Sequence, residues 1–265
     1  MSGLTQKEYR AAEGISRSEL EVLRTRSPEI FKYLQEHKDE TESLALLEGR
    51  AAHKLVLEPE TFNDEFAIAP QCDRRTKEGK EIYAKFVAEA EGKDVLTADS
   101  YKKVSEMAEA VKKNEIAQKF LNGEHELSFF WEDTKTGEKC KVRPDCIATV
   151  DGKKYITDYK TTTSCADGQF ERSVRKYGYK FQSGMYREGV FQNTFEDYGF
   201  AFVAQEKEAP YAVRVYVCNE DFISEGFEQF RQTLDLYHWC KTNDRWYGYE
   251  GADNIITELV GEGEF

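Results

Sequence analysis

The chain has 265 residues, of which 40% are hydrophobic and 33% charged, and its formal net charge at neutral pH is −13. That is enough apolar material for one large domain, but there is no run of about 18 apolar residues to span a bilayer and no apolar stretch near the first methionine to act as a signal peptide, so a cytoplasmic protein without membrane contact is expected. The acidic balance excludes a protein that coats nucleic acid through lysine and arginine, yet it suits an enzyme whose metal-binding carboxylates are themselves acidic.

Taken in chain order, the pattern is helical first. Ser16 reads as an N-cap ahead of Leu20, Leu23, Ile30, Phe31 and Leu34, with Ser27-Pro28 starting a second helix. A helix over 42–57 places Leu44, Leu47, Ala51 and Leu55 on its buried face, and Pro59 stops it. The stretch 70–79 reads as a polar, basic loop, followed by helices near 78–91 and 98–119. The period then changes. Segments 126–131, 139–150 and 154–160 are rich in β-branched and aromatic residues and are separated by turn residues at 133–137 and at Asp151-Gly152, which predicts three consecutive antiparallel strands. Helices over 167–176 and 180–192, strands around 198–205 and 211–218, and a long helix over 220–241 complete an α+β order with a mixed sheet flanked by helices. No repeat, low-complexity tract or linker marks a boundary, so 1–265 reads as a single domain: helical over about 1–120, sheet-containing over about 121–220, with a C-terminal helix and tail after that.

The chemistry comes from hairpin counting. A two-residue turn at Asp151-Gly152 pairs Val150 with Lys153 and sets Asp145 opposite Asp158; Lys160, two residues on, shares that face. If Glu132 pairs with Lys139, Glu126 also falls opposite Asp145. Like charges so placed are destabilising unless a cation lies among them. Taken alone, Asp158 and Lys160 read as an ordinary solvated ion pair and Asp145 as a turn residue after Pro144, but Ile147, Tyr155 and Ile156 predict a partly buried site, where charges need partners. A divalent cation is the simplest partner for clustered carboxylates, and such a cluster suits metal-assisted phosphodiester hydrolysis.

Arg143-Pro144-Asp145, twelve further residues and then Asp158-Tyr159-Lys160 resemble the PD-(D/E)XK nuclease motif. Gly49-Arg-Ala-Ala-His53 is similar to the helical Gly-x-x-x-His element of RecB-like nucleases, and Gln182-Ser-Gly-Met-Tyr186 to their Gln-x-x-x-Tyr. The surroundings, Leu55-Val-Leu-Glu-Pro-Glu60 and Asp73-Arg-Arg-Thr-Lys77, resemble the RecE (exonuclease VIII) type of phage recombination exonuclease. The resemblance implies a PD-(D/E)XK core with a mixed central sheet and an N-terminal helical region. It also implies Mg²⁺ as cofactor, with Mn²⁺ able to substitute. His53, Asp145, Asp158 and the backbone carbonyl of Tyr159 would be metal ligands, with Glu126 added by the hairpin counting, and Lys160 would be the catalytic lysine. Gln182 and Tyr186, one helical turn apart, would contact the substrate strand near the scissile phosphate, and Arg74, Arg75 and Lys77 would contact DNA phosphates. Arg172, Arg175, Lys176 and Lys180 surround the turn before Gln182 and are candidates for the same groove.

The implied activity is 5′ to 3′ degradation of one strand of linear duplex DNA, leaving 3′ overhangs for an annealing protein in phage recombination, by a ring-shaped trimer or tetramer. The chain departs from some relatives: Cys72, Cys140, Cys146, Cys165, Cys218 and Cys240 do not have the spacing of an iron–sulfur ligand set, so no cluster is expected. No P-loop is present. Residue spacing leaves two other readings open, another RecB-like or structure-specific nuclease and a non-catalytic divalent-ion-binding assembly protein.

Overall fold

The computed structural model describes residues 4–37 and 43–251. Its first four helices begin where the sequence supplies caps. Thr5 and Ser16 each accept from the N–H of a glutamate three residues on, and Glu8 and Glu19 return a bond to the cap, so α1 (Gln6–Ala11) and α2 (Arg17–Thr25) both open on a capping box. Ser27 and Pro28 start α3 (Pro28–Glu36), and Ser43 caps α4 (Leu44–Leu57), which ends just before Pro59. Leu44, expected on the buried face of α4, is 59% exposed, because the helix reaches the core only from its second turn on, through Ala51, Ala52 and Leu57. Leu34 of α3 is also largely exposed.

After the short α5 (Phe62–Glu65) come β2 (Phe66–Ile68), α6 (Lys77–Glu89) and β3 (Asp94–Leu96), the two strands forming a small parallel pair that the sequence pattern did not show. The single helix expected over 98–119 is two, α7 (Ala98–Lys113) and α8 (Glu115–Leu121). Asn114 leaves the helical region there, and its side chain accepts from the N–H of Ala117 to cap α8.

The strands expected over 126–131 and 139–150 are each interrupted. They appear as β4 (Gly123–His125) and β5 (Phe129–Glu132), and as β6 (Lys139–Val142) and β7 (Cys146–Val150). Pairing keeps one offset throughout, His125 opposite Cys146 and Phe129 opposite Val142, but between those pairs the hairpin passes from one sheet to another. β5 and β6 join β1 (Ile15–Ser16) in a three-stranded sheet of order β1-β6-β5. β4 and β7 join β8 (Lys153–Thr162), β9 (Gly199–Glu206) and β10 (Val213–Cys218) in a mixed sheet of order β10-β9-β8-β7-β4. At the crossing Pro144 has no N–H to give a ladder, and Glu126 takes a left-handed backbone, φ +54°.

β8 is the central strand. It pairs antiparallel with β7 and parallel with β9, and the crossover to β9 runs through α9 (Asp167–Lys176) and α10 (Tyr179–Thr194). Helices cover both faces, so most of β8 is buried without alternation. Ile156, Phe200, Phe202 and Ala204 pack with α2, α10 and the long α11 (Glu220–Asn243); Tyr159, Ala201 and Val203 pack on the other side with Leu57, Val111 and Phe120. α10 and α11 touch backbone to backbone, where a Cβ on Gly226 would lie 1.9 Å from the Lys180 carbonyl oxygen. That contact holds α10, and with it Gln182 and Tyr186, over the face that carries Asp158. Among the described residues no helix is long and apolar enough to cross a membrane.

Candidate active site

The sheet crossing builds the acidic side of the site. Asp145 lies one residue before β7, and its Oδ2 accepts from the Tyr159 N–H on β8 at 2.7 Å, while the Glu126 N–H donates to the Asp145 carbonyl at 3.1 Å. From α4, His53 places Nε2 3.0 Å from Asp145 Oδ2 and Nδ1 3.6 Å from Glu126 Oε1. One ligand atom from each of His53, Glu126 and Asp145 lies within 4.8 Å of the others, a spacing that one six-coordinate ion can bridge.

Asp158 and Lys160 share a face of β8. Lys160 Nζ lies 2.5 Å from Asp158 Oδ2, and Gln182 Nε2 of α10 donates to Asp158 Oδ1. Of the expected ligands, His53, Glu126 and Asp145 form the close group, while Asp158 is held by Lys160 and Gln182. The Lys160 ammonium also sits over the Tyr179 ring, 4.9 Å from its centroid. Tyr186, one turn beyond Gln182, is half-buried against Phe200. Behind β8, the Tyr159 phenol donates to Gln205, which in turn donates to the Met107 carbonyl at 2.8 Å.

The electrostatics are those of a surplus of buried negative charge. Burial, reinforced by the Asp145 carboxylate, raises Glu126 to about 7 and Asp158 to about 6, even though Arg143 and Lys160 pull the other way. Burial works against a charged His53, but Asp145 first and then Glu126 and Asp158 push it up to about 9. Asp145 resists burial and is lowered, chiefly by His53. Asp158 Oδ2 is buried, and its close partner is the Lys160 ammonium. Imidazole nitrogen with carboxylate oxygens is a donor set for a small divalent cation, and the crowding of three buried carboxylates fits one.

The remaining expected residues are placed less centrally. Gly49 lies one turn before His53, but a Cβ there would be 3.8 Å from Thr161 Oγ1, an ordinary contact, so helix approach does not require glycine at this position. In the loop before α6, Arg75 pairs with Asp73 at 3.1 Å and Arg74 stacks on Tyr83 with 4.6 Å to the ring centroid, while Lys77, the first residue of α6, stands 4.0 Å from Glu81. Among the described residues no hydrogen bond or ion pair joins this loop to the acidic cluster. Lys180 is engaged by Glu225, and Arg172 by Gln169 at 3.4 Å. One residue was read only as part of a motif: Arg143, whose Nε donates to Glu126 Oε2 at 2.5 Å with its side chain 9% exposed. The signal for it was the single basic side chain in the segment that joins β6 to β7.

Among solved structures the chain is similar to a protein of Eubacterium rectale provisionally described as an exonuclease, with 18% identity, a TM-score of 0.67 and coverage of 98% of this chain and 97% of that one. It also matches the structure of SSO0001 at 16% identity and a TM-score of 0.40, covering 87% and 81%. No curated protein sequence matches it. A family model described as a PDDEXK-like domain of unknown function (DUF3799) matches residues 16–258, a span holding every site residue named above, so the chain belongs to the PDDEXK-like family of that description.

Proposed function

We propose that the chain is a divalent-metal-dependent exodeoxyribonuclease that degrades one strand of linear duplex DNA from its 5′ end, leaving 3′ overhangs for recombination. The observation that carries the nuclease reading is the meeting of His53, Glu126 and Asp145 within 4.8 Å, with the Asp158–Lys160 pair on the adjoining strand. The PDDEXK-like family and the fold shared with the Eubacterium rectale protein support it. Polarity, duplex preference, an annealing partner and a ring-shaped trimer or tetramer rest on the motif resemblance.

In this reading His53, Glu126 and Asp145 hold Mg²⁺ or Mn²⁺, with Asp158 and the Tyr159 carbonyl completing the set. A bound ion supplies Lewis-acid charge at the scissile phosphate. Lys160, fixed by Asp158 and partly exposed, orients the attacking water and meets the negative charge that develops on the phosphate oxygens. Gln182 fixes the other Asp158 oxygen, and together with Tyr186 lines the path of the cleaved strand. Arg74, Arg75 and Lys77 take backbone phosphates farther along the duplex.

The test is digestion of end-labelled linear duplex beside closed circular DNA, with Mg²⁺ or EDTA, by wild type and Lys160→Ala. Loss of linear DNA from its 5′ ends, with circles spared and both controls silent, is the expected result. Intact linear DNA in both Mg²⁺ and Mn²⁺ would overturn the enzyme reading, and cutting of circles would overturn the exonuclease part alone.

A further inference from the structure

We infer that Arg143 is a positioning residue for the metal centre, its guanidinium fixing the Glu126 carboxylate so that one oxygen is held back and the other is turned toward His53 and Asp145. The inference rests on the reading of His53, Glu126 and Asp145 as a divalent-ion site.

The two oxygens of Glu126 have separate partners. Oε2 receives Arg143 Nε at 2.5 Å, and Oε1 is the atom that faces His53 Nδ1 at 3.6 Å. Glu126 sits on a left-handed backbone at the point where the hairpin changes sheets, so no ladder hydrogen bond beyond its own N–H fixes the direction of its side chain. Arg143 stands on the other strand of that crossing and supplies the missing constraint. It is itself clamped, because its guanidinium lies 5.7 Å from the centroid of the Tyr9 ring. Tyr9 is docked in turn by Lys141, whose Nζ reaches the carbonyls of Tyr9 at 3.2 Å and Ala12 at 2.5 Å at the end of α1. The N-terminal helix thus bears on the acidic cluster through the Arg143 guanidinium.

The guanidinium is held at a cost: its Nη1 is buried without a hydrogen-bond partner, and what offsets that cost is the bond from Nε to the Glu126 carboxylate. Residues that hold a metal ligand in place commonly matter to affinity almost as much as the ligand does. A planar fork is also a better clamp for one carboxylate than a lysine point charge.

The experiment is Mn²⁺ binding by the full chain, followed by electron paramagnetic resonance without DNA, in wild type, Arg143→Gln, Arg143→Lys, Glu126→Gln and the double variant Arg143→Gln/Glu126→Gln. Arg143→Gln should weaken binding about 10- to 100-fold, with Arg143→Lys intermediate. In the Glu126→Gln background, removing Arg143 should cost nothing further, because the side chain it positions no longer ligates; a purely structural role would cost as much there as in wild type. Wild-type affinity in both Arg143 variants, or an undiminished loss in the double variant, would overturn the inference while leaving the metal site standing. Should Arg143→Gln not fold, Arg143→Lys carries the same comparison. If wild type binds no Mn²⁺, or binds it equally after His53→Ala, the metal-site reading fails and this inference falls with it.

Discussion

Asp145 and Asp158 stand opposite each other one step beyond the last paired residues of β7 and β8, Cys146 and Thr157, yet their hydrogen-bond and ion-pair partners are different: His53 and the Tyr159 N–H hold Asp145, whereas Lys160 and Gln182 hold Asp158. The site is therefore divided into a ligand side, centred on His53, Glu126 and Asp145, and a side where Lys160 is presented.

That division separates two substitutions. Lys160→Ala should lower cleavage by at least about 100-fold, the scale of losing one preorganised charge at a reacting centre, while Mn²⁺ affinity stays within about threefold, since Lys160 is not a ligand. Asp145→Asn should lose both, because it removes negative charge between His53 and the Tyr159 N–H. Parallel titrations of Mn²⁺ and rate measurements on one preparation check this, and equal loss of metal affinity in the two variants would contradict the division.

The pH dependence follows from three groups moving in one direction. His53, raised from 6.5 to about 9, stabilises the metal-free fold fully below about 6.5, and this contribution is lost as pH rises through about 9. Glu126 and Asp158, raised to about 7 and about 6, keep protons that the unfolded chain has already shed, so each weakens the fold as pH rises above its unfolded value and does so in full once pH has passed its folded one. Asp145, lowered, works in the opposite sense, its contribution being lost only as pH falls into the acid range. The melting temperature in EDTA should thus fall between pH 5 and pH 9, and the increment given by Mg²⁺ should grow over the same interval, because the ion displaces these protons. Calorimetry in two buffers of different ionisation enthalpy should show proton release on binding near pH 7; an increment independent of pH would count against the site.

Much of this was legible because hairpin register is fixed by the turn. Asp151-Gly152 sets Val150 against Lys153, and that offset carries Asp145 to Asp158 without further information. The second offset, Glu132 against Lys139, also holds, and brings Glu126 to Asp145 as counted. What local pattern did not reveal is that β5 and β6 lie in a different sheet from β4 and β7. That exchange is decided by which helices cover each surface, and only Pro144 hints at it in the sequence. Leu44 and the break at Asn114 were missed for a related reason, since apolar periodicity does not tell where a helix enters the core or where a polar side chain caps a new one. His53 came from the motif resemblance, as periodicity alone makes it one more side chain on α4.

The contact between α10 and α11 gives a prediction remote from the chemistry. A Cβ on Gly226 would lie 1.9 Å from the Lys180 carbonyl oxygen, and one on Gly184 2.1 Å from the Phe227 nitrogen, so neither helix can keep its place if alanine is introduced. Gly226→Ala should cost about 3 kcal/mol, at the upper end for overpacking. Because Gln182 rides on the same helix, cleavage should fall as well, whereas Mn²⁺ binding at His53, Glu126 and Asp145 should survive in the folded fraction. Urea unfolding with wild-type stability would show that the helices can part without penalty.

The loop before α6 is the place where a substrate effect should be separable from chemistry. Arg75 and Lys77 side chains are 92% and 93% exposed, and their acidic neighbours Asp73 and Glu81 are at the surface too, so these pairs add little stability and open readily to a phosphate. Replacing Arg74, Arg75 and Lys77 together by alanine should leave the melting temperature and the saturated cleavage rate nearly unchanged. It should weaken duplex binding, and the slope of log affinity against log salt should fall by about one for each phosphate contact removed. The measurement is fluorescence anisotropy of a labelled duplex in Ca²⁺ across a salt series. An unchanged slope would mean that DNA does not reach this loop, and would shift the search for its track to the basic residues around the start of α10, where Lys180 is already engaged by Glu225.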